Sequence, residues 1–523
     1  MKLATSLFLF FLLTTNCFAY AGSGKETVSL NGIQRKSLRT IISADTSSPV
    51  IAGDFADPTV VKIGDAYYAA GTSSEWGPHY PVYKSTNLVD WKLITHILPK
   101  RTAWMKSSFW APELFYHNKK LYAYYTVRDT GNISCIGVAT ADSPEKGFTD
   151  HGVIIRTGSE AIDAFVFDDE GQLYVTWKAY GLDKRPIELL SSKLSADGLK
   201  LVGETVSIKK DDAKKGMEGQ SMIKRDGYYY LFYSAGSCCG VPCDYNVRVS
   251  RSKSVTGPFE EYEGNPILKE NDEWMCTGHG TPVQVKDGRW FYLYHAYEKE
   301  FNVFTGRQGL LAEITWNTDG WPAFHRPANS KPALPLYWRD DFNGKTLAVQ
   351  WSWDYRYSDV KTVINKGILE LSSTPVKDKQ AGAMLSVRPV SGNYSMTTSV
   401  LPEGDATKGL VLYGDVENML GITLNGNEIM IWEQKKGVQE ISAKKAIGNN
   451  KSVRLRIDVN NGRLLKFYYG FGGTEWTELV PKSSETDPVD AGFTKQWDRA
   501  PRPGLYQGGK GVAKFEWFDI SYK

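Results

Sequence analysis

An excess of charge of either sign is missing from this chain. Among 523 residues, 62 Lys and Arg stand against 59 Asp and Glu. No basic run stands out, which excludes the electrostatic footprint of a nucleic-acid partner. Cysteine is scarce too. There are six, and no histidine stands at zinc-ligand spacing beside the three gathered in Cys238-Cys239-Gly240-Val241-Pro242-Cys243. That cluster therefore does not read as a metal site. Beyond the N-terminus no stretch is apolar and long enough to span a membrane. No helix of consequence is visible anywhere.

What is present begins with a leader. Lys2 supplies a positive start, Leu7 to Leu13 is an apolar run too short to cross a bilayer, and Ala19-Tyr20-Ala21 fits a small-x-small cleavage site. Residues 1–21 are thus expected to be a signal peptide, which places the mature protein outside the cell or in the periplasm. The rival reading attaches lipid to Cys17, but Thr14-Thr15-Asn16 is a poor lead-in for it. An exported chain keeps disulfides, so Cys243 is expected to pair with Cys238 or Cys239.

From about residue 50 to 325 a polar turn followed by an aromatic strand recurs. The copies are Gly64-Asp65-Ala66-Tyr67-Tyr68, Asn118-Lys119-Lys120-Leu121-Tyr122, Glu170-Gly171-Gln172-Leu173-Tyr174, Asp226-Gly227-Tyr228-Tyr229-Tyr230 and Asp287-Gly288-Arg289-Trp290-Phe291. Aligned on Tyr68, Tyr122, Tyr174, Tyr230 and Phe291, their intervals are 54, 52, 56 and 61 residues. Such pairs make hairpin turns, and a period of this size with several short strands per unit means propeller blades. Five copies predict five blades. A Pro-rich stretch with Pro327, Pro332 and Pro335 predicts a linker over 326–335. The remainder, 336–523, alternates without the repeat, as in Lys514-Phe515-Glu516-Trp517-Phe518-Asp519-Ile520, and suits a two-sheet sandwich. The fold class is all-β: a five-bladed β-propeller followed by a β-sandwich.

Three carboxylates stand close to predicted strand starts: Asp57 in Ala56-Asp57-Pro58, Asp163 in Ile162-Asp163-Ala164, and Glu218 in Glu218-Gly219-Gln220. A propeller brings acids distant in sequence to one central pocket. Cleaving a glycosidic bond needs a proton donor on one side of the sugar and a carboxylate on the other. Aromatics make up 13% of the chain, with 16 Trp and 29 Tyr, and supply flat faces for sugar rings as well as core. Trp76 and Trp110 read as loop residues ahead of strands that wall a sugar subsite. Trp338, Trp351 and Trp353 read as sandwich core rather than a sugar platform.

The first domain resembles glycoside hydrolase family 43, five-bladed propellers that invert the anomeric carbon of α-L-arabinofuranosyl, β-D-xylosyl or related linkages. The motifs that carry the resemblance run in the family's order: Ala56-Asp57-Pro58, Trp110-Ala111-Pro112-Glu113, Ile162-Asp163, Glu218-Gly219, Gly278-His279-Gly280, Tyr294-His295-Ala296-Tyr297 and Gly306-Arg307-Gln308. It implies that Asp57 is the general base, that Glu218 is the general acid, and that Asp163 orients the acid and raises its pKa. It further implies that Arg307 holds a sugar hydroxyl and that His279 contacts a structural calcium, with no cofactor needed for the chemistry. Ala164 follows Asp163 where many members have Pro, a departure that touches subfamily more than role. Cys238-Cys239-Gly240 with Tyr245-Asn246-Val247-Arg248 resembles a stretch in arabinan-cleaving members. The C-terminal part resembles the concanavalin A-like sandwich often appended to this family.

The expected partner is an arabinose- or xylose-containing polysaccharide or oligosaccharide from which terminal residues are removed. The alternatives are an endo-arabinanase with an open groove, or a non-catalytic carbohydrate-binding protein on the same scaffold.

Overall fold

The computed structural model describes residues 48–325, 327, 336–375, 382–448, 452–482 and 488–523. The expected signal peptide, Cys17 and the linker apart from Pro327 lie outside the described residues. None of the described helices is long and apolar enough to cross a membrane.

Five four-stranded antiparallel blades form from residues 59–325. Blade I is Thr59–Ile63, Ala66–Ala70, His79–Ser85 and Lys92–Leu98; blade II is Met105–His117, Lys120–Asp129, Ser134–Ala141 and Thr149–Ile155. Blade III is Glu160–Asp169, Gln172–Tyr180, Glu188–Lys193 and Val206–Lys210. Blade IV is Met217–Arg225, Tyr228–Ala235, Asn246–Ser252 and Glu260–Glu261; blade V is Trp274–Gln284, Trp290–Glu298, Arg307–Trp316 and Pro322–His325. Each sequence repeat is the hairpin from the first strand to the second. Its turn needs left-handed backbone, and φ is positive at Asn118 and Lys119, at Glu170 and Gly171, and at Asp226 and Gly227.

The second strands are the most apolar part of each blade, and they feed five inter-blade cores. Tyr80, Phe109, Leu121 and Tyr125 join blades I and II; Tyr124, Ile136, Val175 and Trp177 join II and III. Phe165, Leu189, Leu231 and Tyr233 join III and IV, and Phe232, Val249, Tyr292 and Leu310 join IV and V. Val60, Tyr67, Phe291 and Leu293 close V onto I. The segment entering blade I secures this closure, because Val50 N and Ile51 N donate to Gly309 O, and Gly309 N returns a bond to Ile51 O.

Residues 337–522 form two facing sheets of nine and six strands. Alternation puts Leu385, Leu410, Ile422, Leu455, Ile457 and Phe467 between them, and a register shift in the last strand lets both Phe515 and Phe518 face the same core. Trp351 is in this core with its Nε1 on Asp340 Oδ2 at 2.8 Å, and Trp338 packs edge-on against it. Trp353 instead pairs backbone to backbone with Gly77 of the propeller.

Two expectations need correction here. Trp76 does not wall the centre where the acids meet. It sits in the two-residue strand Trp76–Gly77, 2% exposed, packed on Met384, Tyr413 and Trp432 of the sandwich. An indole there seals the junction between the two halves. The cysteine pairing differs as well: among the described residues Cys238 bonds to Cys239 and Cys243 to Cys276, leaving Cys135 buried and free. Proximity in sequence misled because the inner strand of blade V brings Cys276 beside the blade IV loop.

Candidate active site

The innermost strands of the blades are where the ring is tightest, and they carry irregularities there. Asp57 stands just ahead of its strand, whereas Asp163 and Glu218 lie inside theirs. Register shifts occur between Ile162 and Phe165, between Glu218 and Ser221, and on either side of Gly278. A bulge re-aims a side chain that regular pleating would send into the blade. Asp57, Asp163 and His279 accordingly have φ of 52°, 59° and 32°. Gly219 follows Glu218 at φ 59°, and a Cβ there would lie 2.8 Å from the His279 ring.

These strands bring Asp57, Asp163, Glu218, His279 and Arg307 together. Asp57 is the most tightly held. Its Oδ1 accepts from Arg307 Nη1 at 3.1 Å and its Oδ2 from Thr72 Oγ1 at 2.6 Å. Its backbone N donates to His295 Nδ1 at 2.9 Å, which leaves that nitrogen as the acceptor. Burial alone would lift its carboxyl, but Arg307, His279 and His295 with the Thr72 hydroxyl hold it well below the usual range. Asp57 is therefore a charged acceptor.

Asp163 accepts the Gly219 N–H on Oδ2 at 2.9 Å, and its carbonyl accepts from Gln220. Burial pushes it up to about 7, with the charge of Glu218 adding to the effect and His279 opposing it. Glu218 receives two donors, Lys178 Nζ at 2.8 Å and Tyr245 Oη at 3.1 Å. Burial favours its neutral form, yet the Lys178 ammonium outweighs this and lowers it. So Asp163, not Glu218, carries the raised pKa in the substrate-free protein. The like-charge push on Glu218 that the resemblance implied is opposed by a cation that the motifs did not include.

His279 Nδ1 lies 3.6 Å from Asp57 Oδ1 and 3.8 Å from Asp163 Oδ2, bridging the two acids. Among the described residues no group of three or more His, Cys, Asp or Glu is placed to hold a metal ion. Arg307 is 4% exposed; its Nη2 donates to the carbonyl of Asp498, which belongs to the sandwich. Trp110 lies within the inner strand of blade II rather than in a loop. The next residue, Ala111, donates its N–H to Thr72 Oγ1, the hydroxyl that serves Asp57. The Trp110 ring meets Trp497 of the sandwich edge-on at 6.0 Å, and Trp497 remains 57% exposed. The centre therefore has a charged acceptor, a carboxyl that holds a proton to near neutrality, a third carboxylate between two donors, and indoles at its edge.

Sequence reasoning missed Lys178, Thr72 and Trp497. Lys178 left a trace: it is the lone charge inside the apolar strand Gln172–Tyr180. Thr72 and Trp497 carry no such mark.

Comparison with known proteins is consistent across the chain. The model of glycosyl hydrolases family 43 matches residues 46–322, and that of the β-xylosidase C-terminal concanavalin A-like domain matches residues 339–521. A xylan 1,3-β-xylosidase of Vibrio sp is 25% identical over 516 residues, covering 85% of this chain and 92% of that one. An extracellular endo-α-(1→5)-L-arabinanase of Bacillus subtilis (strain 168) is 31% identical over 292 residues, 51% of this chain and 87% of its own. A non-reducing end α-L-arabinofuranosidase of Bacteroides ovatus is 25% identical over 511 residues, 90% and 94% respectively. The crystal structure of a family 43 protein from Bacillus licheniformis superimposes with a TM-score of 0.77 at 22% identity, covering 91% of this chain and 99% of that one. Its five-bladed propeller and C-terminal sandwich are the same fold. With a family model spanning more than half its length, and acids converging where the blades meet, this chain belongs to glycosyl hydrolases family 43.

Proposed function

We propose that the protein removes terminal α-L-arabinofuranosyl or β-D-xylosyl residues from oligosaccharides or polysaccharides, with Asp57 as general base and Glu218 as general acid. The observation that carries this is the convergence of Asp57 and Glu218 on one centre, with Asp163 between them as the carboxyl whose pKa is raised. Asp57 is locked as a charged acceptor by Arg307 and Thr72, while Glu218 is met by donors on both oxygens beside a proton-bearing Asp163. A base must take a proton from water on one face of the sugar as an acid gives one to the departing oxygen on the other.

The protein's own groups divide the work. Arg307 and Thr72 keep Asp57 charged and fixed. His279, between Asp57 and Asp163, screens one acid from the other. Lys178 and Tyr245 orient Glu218, and Asp163 supplies the proton inventory and the opposing charge. A calcium ion beside His279 finds no fitting cage: calcium takes roughly six to eight oxygen ligands, and the acids nearest Nδ1 are already bonded to Arg307, Thr72 and Gly219.

Removal of terminal residues, rather than cleavage within a chain, is supported by the sandwich segment at Trp497–Ala500. It reaches the propeller beside Trp110 and Arg307, where a longer chain passing through would have to clear it. The two sugars are supported by the names of the relatives. The test is a panel of 4-nitrophenyl α-L-arabinofuranoside and β-D-xyloside beside linear and debranched arabinan. One or both aryl pentosides should turn over, and free pentose should be the first product from the oligomers. Mid-length fragments of linear arabinan as the first product would replace this reading with the endo-arabinanase.

A further inference from the structure

A second cavity opens away from the acidic centre, between blade I and the sandwich. It holds about 610 Å³ and is lined from both halves, by Tyr83, Trp91, Lys92 and His96 on one side and by Trp338, Arg388 and Arg502 on the other. That volume falls in the range of small-molecule sites, roughly 300–1,000 Å³. None of its lining residues serves Asp57, Asp163 or Glu218.

Its two guanidiniums lie over aromatic faces, Arg502 over Trp76 at 4.4 Å and Arg388 over Tyr83 at 5.1 Å, but use few of their N–H donors. Arg502, 7% exposed, gives one hydrogen bond, from Nη1 to Ser352 Oγ at 2.6 Å. Arg388 also gives one, from Nη1 to the carbonyl of Asp54 at 3.0 Å. A guanidinium carries five N–H donors, and both acceptors are neutral. Arg307 and Arg499, by contrast, are paired with Asp57 and Asp498. The carboxylate that Arg388 and Arg502 feel is Asp54, whose oxygens accept the backbone N–H groups of Arg307 and Ala500. Asp90 also lines the cavity, and its Oδ2 accepts from Asn87. Among the described residues neither guanidinium forms an ion pair, and buried charges without a counter-charge are costly and rare. Burial holds Arg388 down to about 10 and Arg502 down to about 9, with Asp54 opposing in each case.

We propose that this cavity is a second ligand site, taking a sugar ring that carries a carboxylate, that is, a uronic acid. The planar forks of Arg388 and Arg502 match a carboxylate. Trp91 and Trp338 line the cavity beside them and supply apolar surface for the ring, and the volume exceeds what a bare oxyanion would fill.

Titration calorimetry on the wild-type chain tests it, with D-glucuronate and D-galacturonate as probes and saturating D-xylose and L-arabinose present to occupy the acidic centre. At least one uronate should bind at a single site per chain despite the pentoses. Arg502→Met should weaken it by about tenfold or more, as loss of a buried charge partner does. Arg388→Met, which sacrifices one bond to a carbonyl, should do the same while leaving turnover of the aryl pentoside intact. It also carries the test if Arg502→Met does not fold. The proposal is overturned if neither uronate binds better than the neutral pentoses, if sulfate binds as tightly as the uronates, or if Arg388→Met leaves uronate affinity unchanged.

Discussion

Lys178 sets how firmly Glu218 keeps its proton. Its ammonium lies 2.8 Å from one carboxyl oxygen and favours the charged form, while Asp163 and Asp57 disfavour it. Below about pH 7 the Asp163–Glu218 pair retains a proton, so activity should fall as pH rises through that region and the pair empties. Lys178→Met removes the cation, raises the pKa of Glu218 and should move the basic limb of the kcat/KM profile upward. Asp163→Asn removes a like charge and should move the same limb downward. Limbs that move together would show that Lys178 and Asp163 do not act on the acid through charge. The roles of Asp57 and Glu218 separate by leaving group. Glu218→Ala should lose roughly 10²–10⁴-fold on natural linkages and much less on an aryl glycoside whose phenolate leaves unaided. Asp57→Ala should lose comparably on both, since water must be activated in either case. Equal impairment of Glu218→Ala on both substrates would remove it as the acid.

At the scale of the strand, the site exists because the inner strands break their pleat. Asp163, Gly219 and His279 adopt left-handed backbone at irregularities in three neighbouring blades. Gly219→Ala tests this. An added Cβ meets the His279 ring at 2.8 Å in a backbone state that L residues resist. The variant should lose about 1–3 kcal/mol in denaturant unfolding and most of its activity; unchanged stability and turnover would mean that the bulge is not constrained. The same irregularities explain what the sequence made legible. The hairpins of the repeat were readable because Asp226-Gly227 and Glu170-Gly171 announce turns locally, and so five blades could be counted. The acids were readable through the motifs around them. Lys178, Thr72 and the Cys243–Cys276 bond were not, because they depend on which blades become neighbours, a matter of long-range packing. Trp76 was misplaced for the same reason: a Trp in a short loop looks alike whether sugar or a second domain covers it.

For the whole molecule, propeller and sandwich act as one body at the site. Arg307, which fixes Asp57, donates to the Asp498 carbonyl, and Asp54 accepts from Ala500. Blade I and the sandwich also exchange strand pairing at Trp76–Gly77 and Trp353–Asp354, with Tyr355 Oη on Glu75 at 2.8 Å. The sandwich is thus part of the scaffold that holds Asp57. We propose that this scaffold runs a single displacement by water, activated by Asp57 while Glu218 protonates the departing oxygen. Early-time proton NMR of the wild-type chain acting on an aryl pentoside measures that outcome directly. The first sugar released should have the anomeric configuration opposite to the substrate, before mutarotation blurs it. A first product of retained configuration would contradict it, because it would require a carboxylate to attack the sugar instead of water.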